Sequence, residues 1–281
     1  NMFIVLSISR TCAPGTVRVS CATARGTVSV AEAAEVPMVN SPLPPSRSTR
    51  MSSRAPSRCA CTLRAWAISG QQHGMVALDS RGRVVRPALL WNDLRSSDAA
   101  TALIARYGAT ALAERTGLVP VPSFTLTKVH WLREHEPERA RAVALPHDWL
   151  TWRLRGFGPD SRLGADLDEL VTDRSEASGT GYWTDAGYDR ELFAEALGHD
   201  AVLPRVLAHD AAVRDADGRS VGPGSGDNAG AALGLGARVG DVVVSIGTSG
   251  TVFATSAHRT IDPSGTVAGF ADAADGHLPL V

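Results

Sequence analysis

Residues 66–79 read WAISGQQHGMVALD, in which two short apolar runs flank a polar segment bounded by glycines. Short apolar runs that end at glycine are typical of buried strands, so we predict strands over 66–69 and 75–79. Polar side chains at the carboxyl end of a strand are where open α/β sheets bind ligands. Gln72 and His73 are therefore candidate ligand contacts, although a single histidine in such a place is more often structural.

The chain beyond this stretch alternates helix and strand patterns, which predicts an α/β fold. Helices are expected over 97–108, 125–135, 147–155 and 189–197, each ended by a glycine or by a break in the apolar period. Farther on, apolar runs at 241–246 and 251–254 flank a glycine-rich turn of four residues, which indicates a β-hairpin.

Residues 1–64 differ from the rest in composition. They contain an excess of arginine over acids, prolines set among serines, and all four cysteines, which are Cys12, Cys21, Cys59 and Cys61. The cysteine spacing matches no zinc pattern. Two interpretations stay open: a disordered Pro/Ser-rich arm, or a segment translated out of frame. We therefore divide the chain into this aberrant segment, a domain over 65–236 and the beginning of a second domain over 237–281.

Composition argues against several classes of partner. The net charge is −1, so no global basic field favours nucleic acid or an anionic membrane surface. No apolar run approaches the roughly 20 residues that a membrane-spanning helix needs. Cysteine is absent after Cys61, which fits a reduced cytoplasmic protein. Lys128 is the only lysine, so we attribute the many arginines to genome composition and not to phosphate binding.

Two segments offer side chains suited to catalysis or binding. Asp227 follows the glycine-bounded turn 224–226 and precedes a run of small residues. It is either the cap of a helix or a general base on a turn that a substrate can approach closely, and caps are the commoner case. Trp91, Asn92 and Asp93 form a polar and aromatic cluster, whose alternative is a loop with the tryptophan packed inward and the polar pair hydrogen-bonded locally.

The glycine-rich turn of the predicted hairpin is a candidate phosphate site. Its residues Gly247, Thr248 and Ser249 combine backbone N–H groups free to converge with two hydroxyl donors, which suits a phosphate. Taken alone, most turns of this composition bind nothing, so this motif does not decide the function.

Six segments, taken together and in chain order, closely resemble the xylulokinases, which belong to the FGGY carbohydrate kinases. They read ISGQQHG at 68–74, LLWND at 89–93, LPHDWL at 145–150, TDRSEASGT at 172–180, GDNA at 226–229 and SIGTSG at 245–250. The Gly-Asp and Gly-Thr-Ser elements are shared with gluconokinase and glycerol kinase, whereas the Gln-His pair together with Trp-Asn-Asp indicates xylulokinase. The likeness extends over about residues 65–270.

The resemblance implies an actin-like ATPase (ribonuclease H-like) α/β fold, here the first domain and the start of the second. It implies ATP-dependent phosphorylation of D-xylulose to D-xylulose 5-phosphate, with Mg²⁺ on the phosphates, in a cytoplasmic enzyme that is a homodimer when intact. Carried over, it makes Asp227 the base and assigns no metal ligand. It assigns the sugar to Gln72, His73, Trp91, Asn92, Asp93 and Asn228. It assigns the ATP phosphates to Gly247, Thr248 and Ser249.

Two departures accompany the resemblance. Residues 1–64 contain no acidic hairpin of the kind that the family places near the metal and the phosphates, which favours the out-of-frame interpretation. The chain also stops before the family's adenine-binding region, so we expect a truncated chain with no activity of its own. The alternatives are another sugar or polyol kinase, such as ribulokinase or gluconokinase, and a non-catalytic sugar-binding module.

Overall fold

A computed structural model describes residues 3–9, 19–22, 62–136, 140–246 and 250–281. The rest of the predicted aberrant segment 1–64 lies outside the described residues. So does the predicted phosphate turn Gly247, Thr248 and Ser249.

The chain forms seven helices and sixteen strands in the part that the structure describes. The helices are α1 Ser97–Tyr107, α2 Ala109–Thr116, α3 Thr125–His135, α4 Pro146–Leu154, α5 Arg174–Ser178, α6 Arg190–Leu197 and α7 Asp227–Leu235. The strands are β1 Phe3–Ser9, β2 Val19–Ala22, β3 Thr62–Gly70, β4 Val76–Leu78, β5 Ala142–Ala144, β6 Val171–Thr172, β7 Trp183–Thr184, β8 Gly187–Tyr188, β9 Arg205–Val206, β10 Val213–Arg214, β11 Ser220–Val221, β12 Ser225–Gly226, β13 Val242–Ile246, β14 Gly250–Ala254, β15 Ala268–Ala271 and β16 His277–Leu280.

The largest sheet has the order β10-β11-β3-β1-β2, and β12 also pairs with β3. Strand β3 is antiparallel to β1 but parallel to β11 and β12. The register places Ser69 opposite Ser225 and Gly70 opposite Gly226, so the carboxyl ends of β3 and β12 meet at one edge. The sequence did not foresee β1 and β2, which lie within the segment 1–64.

The predicted helices are present, with small shifts at their ends. Helix α3 has the predicted bounds, and α6 begins after Asp189, whose carboxylate accepts a hydrogen bond from the Leu192 N–H. Gly198 then ends α6 in the left-handed conformation, as a C-terminal glycine is expected to do. The four predicted core residues of this helix are all buried: Leu192, Phe193, Ala196 and Leu197.

Five apolar clusters stabilise the described residues, and the two largest involve most of the helices. The larger lies between β4, β5, α1, α2, α3 and α6, and includes Leu112, Val129, Leu132 and Phe193. The smaller joins α7 to the four-stranded sheet β13-β14-β16-β15, through contacts that include Ala229, Phe253 and Phe270. The N-terminal half of α7 therefore packs between residues 62–226 and the four-stranded sheet.

The predicted hairpin is confirmed as β13 and β14, which pair from Val242–Ala254 to Ile246–Gly250. Gly250 is the first residue of β14, so the connection has three residues and not the predicted four. Among the described residues, no helix has the length and apolar character required to cross a bilayer.

Candidate active site

The parallel pairing of β3 with β12 brings two predicted segments together. Gln72 lies just beyond β3 and Asp227 just beyond β12, at the shared carboxyl edge of the sheet. A Cβ atom on Gly226 would lie 2.8 Å from Cγ of Gln72, so only glycine admits this close approach. The buried Gln72 amide is fixed by donating through Nε2 to the carbonyl of Ser175 at 2.9 Å.

Asp227 is the first residue of α7, and the N-cap is Gly226. The alternative role of Asp227 as the helix cap is therefore wrong, because its side chain is already inside the first turn. Its Oδ1 accepts from the Asn228 N–H at 2.8 Å. Burial raises the pKa of Asp227, although the hydrogen bond from the Asn228 backbone acts in the opposite direction. A carboxylate with a raised pKa is a stronger proton acceptor, as a general base requires.

Asn228 connects the aspartate to the hairpin. Its side-chain Nδ2 donates to Oδ1 of Asp227 at 3.2 Å, and its Oδ1 accepts from Oγ1 of Thr251 at 3.4 Å. Thr251 lies at the start of β14, one residue beyond Gly250. The Asp227 carboxylate and the hairpin end that carries the predicted phosphate turn are thus linked through a single side chain.

A cleft of about 590 Å³ opens onto Asp227. It is lined on one side by β3 and the turn before α7, and on the other by α7, including Ser69, Ser225, Gly230 and Leu233. Gln72 and His73 are not among its lining residues. The cleft therefore reaches the carboxylate without including these two predicted sugar contacts in its lining.

His73 is half-buried and held in a rare backbone conformation, with φ of 69°. Its Nδ1 lies 2.7 Å from the carbonyl oxygen of Gly179, and because a carbonyl only accepts, Nδ1 carries the proton. Its ring packs at centroid distances of 4.8 Å from Phe124 and 5.3 Å from Phe270. Burial lowers the pKa of His73 to about 4, against the effect of the Gly179 hydrogen bond. The neutral ring thus keeps Nε2 as an acceptor for a ligand hydroxyl.

The structure does not bring Trp91, Asn92 and Asp93 against the base. Trp91 is 49% exposed, which excludes the alternative that it packs inward, and Asn92 is also exposed. Asp93 is bound locally by Arg95, whose Nε donates to Oδ1 at 2.8 Å. Despite partial burial, this guanidinium lowers the pKa of Asp93. None of the three residues lines the cleft.

Lys128 is not among the predicted site residues, although the structure places it near two of them. It is fully buried on α3, and its Nζ donates to the carbonyls of Pro122 at 2.8 Å and Ser123 at 2.6 Å. Burial lowers the pKa of Lys128 to about 8, while Asp93 acts to raise it. Its charge reaches both His73 and Asp93 and lowers the pKa of each. The signal that could have found it was its status as the only lysine.

No group of three or more histidine, cysteine or acidic side chains suited to a metal ion occurs among the residues that the structure describes. The described part of the chain thus offers no protein cage for Mg²⁺. Magnesium is often held by one or two carboxylates together with substrate phosphates, so a site formed with bound nucleotide does not require such a cage.

Comparison with known sequences gives a consistent result. Residues 53–216 match the model of the FGGY family of carbohydrate kinases, N-terminal domain. Over 229 aligned residues, the chain is 52% identical to the xylulose kinase of Streptomyces coelicolor and 50% identical to that of Streptomyces rubiginosus. Each alignment covers 76% of this chain and 45% of the relative, so the chain spans less than half the length of these proteins.

Solved structures extend the comparison. The xylulose kinase of Bifidobacterium adolescentis superposes with a TM-score of 0.71 at 42% identity, over 76% of this chain and 51% of that one. A glycerol kinase of Plasmodium falciparum, solved with ADP, superposes with a TM-score of 0.62 at 18% identity, over 75% of this chain and 45% of that one. The second likeness is one of fold alone.

Proposed function

The chain belongs to the FGGY family of carbohydrate kinases, and from this premise we propose that it carries the sugar pocket and the base of an ATP-dependent xylulokinase. It has the predicted α/β fold of the actin-like ATPase type, like the sugar kinases on which it superposes. The observation that supports the proposal best is the β3–β12 register, which places Gln72 beside the turn that presents Asp227.

In the proposed reaction, Asp227 accepts the proton of a D-xylulose hydroxyl as that oxygen attacks the γ-phosphorus of ATP. The new O–P bond forms while the bond to the β-phosphate oxygen breaks, giving ADP and D-xylulose 5-phosphate. Such transfers depend mainly on positioning and charge stabilisation, so a fixed carboxylate at the first residue of α7 suits this reaction. Because Asp227 must be ionised, we expect turnover to fall at low pH, through the pKa that burial has raised.

The proposed sugar contacts divide into a rigid and an open group. Gln72 and His73 are held by carbonyls of the α5 region, which leaves the neutral His73 Nε2 to accept from a sugar hydroxyl. Trp91 and Asn92 lie on an exposed loop, where they would contact the sugar only from the rim of the site. Asn228, bonded to Asp227, would orient the base.

ATP is the expected phosphate donor of this family, and Mg²⁺ would neutralise its phosphates when bound. We propose Gly247, Thr248 and Ser249 as the phosphate contacts of this chain, supported by the Thr251–Asn228–Asp227 connection at the end of β14. No residue of the described chain is assigned to the metal.

Calorimetry with D-xylulose tests the proposed pocket. We expect the chain to bind D-xylulose more tightly than ribulose, gluconate or glycerol, and Gln72→Ala to weaken binding at least about tenfold because a buried hydrogen-bonding group is lost. Asp160→Asn is the control, since the Asp160 side chain is 86% exposed and pairs with Arg83, which is not a predicted site residue. Equal affinity of wild type and Gln72→Ala for D-xylulose would refute the assignment of Gln72.

Turnover tests the base. In a chimera that carries this chain in place of the matching part of the Streptomyces coelicolor enzyme, Asp227→Asn should lower kcat by about 10²–10⁴ with little change in KM. A chimera that binds D-xylulose but transfers no phosphate would favour the sugar-binding module instead. ATP-dependent turnover by the 281-residue chain alone would contradict the expectation that it is inactive.

A further inference from the structure

Three buried polar side chains contact the turn 224–226 or each other, next to the proposed base Asp227. His147 comes from α4, and Asp173 and Ser175 come from the N-cap and the first turn of α5. All three are at least 97% buried. None of them is among the predicted site residues, and an apolar interior tolerates such groups only when they are paired.

His147 contacts the backbone of this turn. Its Nε2 lies 3.4 Å from the carbonyl oxygen of Pro223 and 3.7 Å from Oδ1 of Asp173. Gly224, next in the turn, has φ of 88°, and a Cβ atom there would lie 2.8 Å from Nε2 of His147 and 2.4 Å from the Ile68 carbonyl. The imidazole thus approaches the turn as closely as a bare backbone permits.

Ser175 makes hydrogen bonds to both Gly226 in the turn and Gln72, the proposed sugar contact. Its Oγ donates to Oδ2 of Asp173 at 2.5 Å, and because it has one proton it must accept the Gly226 N–H, which lies at 2.9 Å. Its carbonyl accepts from Nε2 of Gln72 at 2.9 Å. One residue therefore binds both the turn before Asp227 and the proposed sugar contact.

The charges around Asp173 come from several elements. His147 and Asp148 face it from α4, Glu176 lies on its own helix, Asp227 on α7 acts on Glu176, and Tyr188 on β8 lies within its field. Burial raises the pKa of Asp173 to about 6, while His147 and the Ser175 hydrogen bonds act to lower it. Burial would lower the pKa of His147, but the carboxylate of Asp148, 2.9 Å from its Nδ1, together with Asp173 raises it to about 10, so the ring stays cationic near neutral pH.

We propose that His147, Asp173 and Ser175 are positioning residues that hold Gln72 and the Gly226–Asp227 turn in register for the sugar, and that the array works only while Asp173 is ionised. The imidazolium favours the charged form of that carboxylate, and by accepting the Ser175 proton the carboxylate orients the hydroxyl so that a lone pair of Oγ faces the Gly226 N–H. The inference rests on the proposed function only for the identity of the sugar.

Two variants and a control test the array. Ser175→Ala removes the acceptor of the Gly226 N–H, and His147→Gln removes the charge while keeping an amide N–H for the Pro223 carbonyl. Thr172→Val is the control, because Thr172 is equally buried and its Oγ1 makes no hydrogen bond within the described residues. The readouts are hydrogen exchange of the Gly226 amide and D-xylulose affinity by calorimetry, each from about pH 5 to about pH 8.

We expect Ser175→Ala to speed exchange at Gly226 and to weaken D-xylulose binding, each by about tenfold or more, while Thr172→Val changes neither. In the wild type, Gly226 protection should fall as the pH drops through the pKa of Asp173, near 6. In His147→Gln the midpoint of that fall should move to higher pH, because the charge that lowers the pKa of Asp173 is gone. A purely structural role would lower protection without moving the midpoint.

Gly226 exchange within twofold of wild type in Ser175→Ala, or an unmoved midpoint in His147→Gln, overturns the proposal. If His147→Gln does not fold, Ser175→Ala decides it alone. If the wild type binds no D-xylulose, the proposed function fails, but the Gly226 measurements still decide whether the array exists.

Discussion

The region before Asp227 and the region after it differ in how much apolar surface they expose to solvent. Residues 62–226 contain a core around Leu132 and Phe193 in which the large apolar side chains are almost fully buried. Strand β13, at the edge of the four-stranded sheet, leaves Val242, Val244 and Ile246 mostly exposed, with Ile246 at 87%. The first region therefore gains its stability from its own core, whereas the second, besides its smaller core around Phe253 and Phe270, exposes an edge of its sheet that a further layer or strand would cover.

The largest expected effect contrasts the two regions directly. Phe193→Ala should lower the free energy of unfolding by about 3–5 kcal/mol, because it opens a cavity in a filled core. Ile246→Ala should change it by less than about 0.5 kcal/mol, since the side chain is already in solvent. Urea unfolding followed by circular dichroism measures both. Similar losses in the two variants would erase the contrast.

The connection between the regions gives the next effect. Arg174 on α5 donates to the carbonyls of Ala274 at 2.7 Å and Gly276 at 2.9 Å, in the loop between β15 and β16. It also pairs with Asp185 at 2.6 Å. Arg174→Ala should cost about 2–3 kcal/mol, because charge-assisted bonds of a largely buried guanidinium are lost.

Limited proteolysis locates that effect. With Arg174→Ala, cleavage after residue 237 should become faster than in the wild type, since the four-stranded sheet loses its tie to α5. Arg106→Ala is the control, because the Arg106–Glu195 pair is exposed and should contribute less than about 1 kcal/mol. Uniform sensitivity along the whole chain would mean that the two regions unfold together.

A smaller effect concerns Glu176, which is fully buried and has no hydrogen-bond partner for either carboxylate oxygen within the described residues. Burial raises its pKa well above the usual value, His147 acts to lower it, and Asp173, Asp148 and Asp227 raise it further. The folded state keeps a proton that the unfolded chain releases. Stability from this group is therefore full below the ordinary glutamate pKa and lost as pH rises through the folded one.

Glu176→Gln should consequently match the wild type near pH 5 and exceed it by about 1–3 kcal/mol near pH 8, because the amide cannot ionise. Thermal unfolding across this pH range measures the difference. The exposed Glu114→Gln should show no such trend. Loss of stability in Glu176→Gln at every pH would mean that Glu176 is ionised and paired with His147.

The smallest effect on stability belongs to the sheet edge. Val244→Thr should change the free energy of unfolding by less than about 0.5 kcal/mol, because the side chain is 60% exposed. It should nevertheless reduce concentration-dependent association, since it breaks the apolar stripe on an edge strand. Light scattering at rising protein concentration compares the two chains. Unchanged association would mean that an apolar surface other than β13 causes the association.

Elements with a clear apolar period were predictable from the sequence. Helix α3 and helix α6, with its Asp189 cap and Gly198 end, follow from local signals that the packing reinforces. Helix α2 was not predicted, because it follows Gly108 directly and a glycine in that place usually indicates the end of a helix. In fact Gly108 both ends α1 and begins α2.

For the site, the motifs predicted Gln72 and Asp227, and the pairing of β3 with β12 explains why Gln72 lies beside the turn before Asp227, although the roles of both residues remain predictions. The sequence could not reveal the His147, Asp173 and Ser175 array, because its members come from separate helices and act through backbone groups. The roles assigned to Gly247, Thr248 and Ser249 remain predictions.

The pairing of Ser69 with Ser225 joins residues 156 positions apart. Bringing such distant segments together costs chain entropy that local helices do not, so this junction should form late on the folding pathway. A sugar that bridges Gln72 and Asp227 would then recognise only chains that have completed this step. Binding of that sugar would slow unfolding and would not speed folding. The fraction of newly made chains that the sugar protects from unfolding would therefore equal the fraction that has reached the native state.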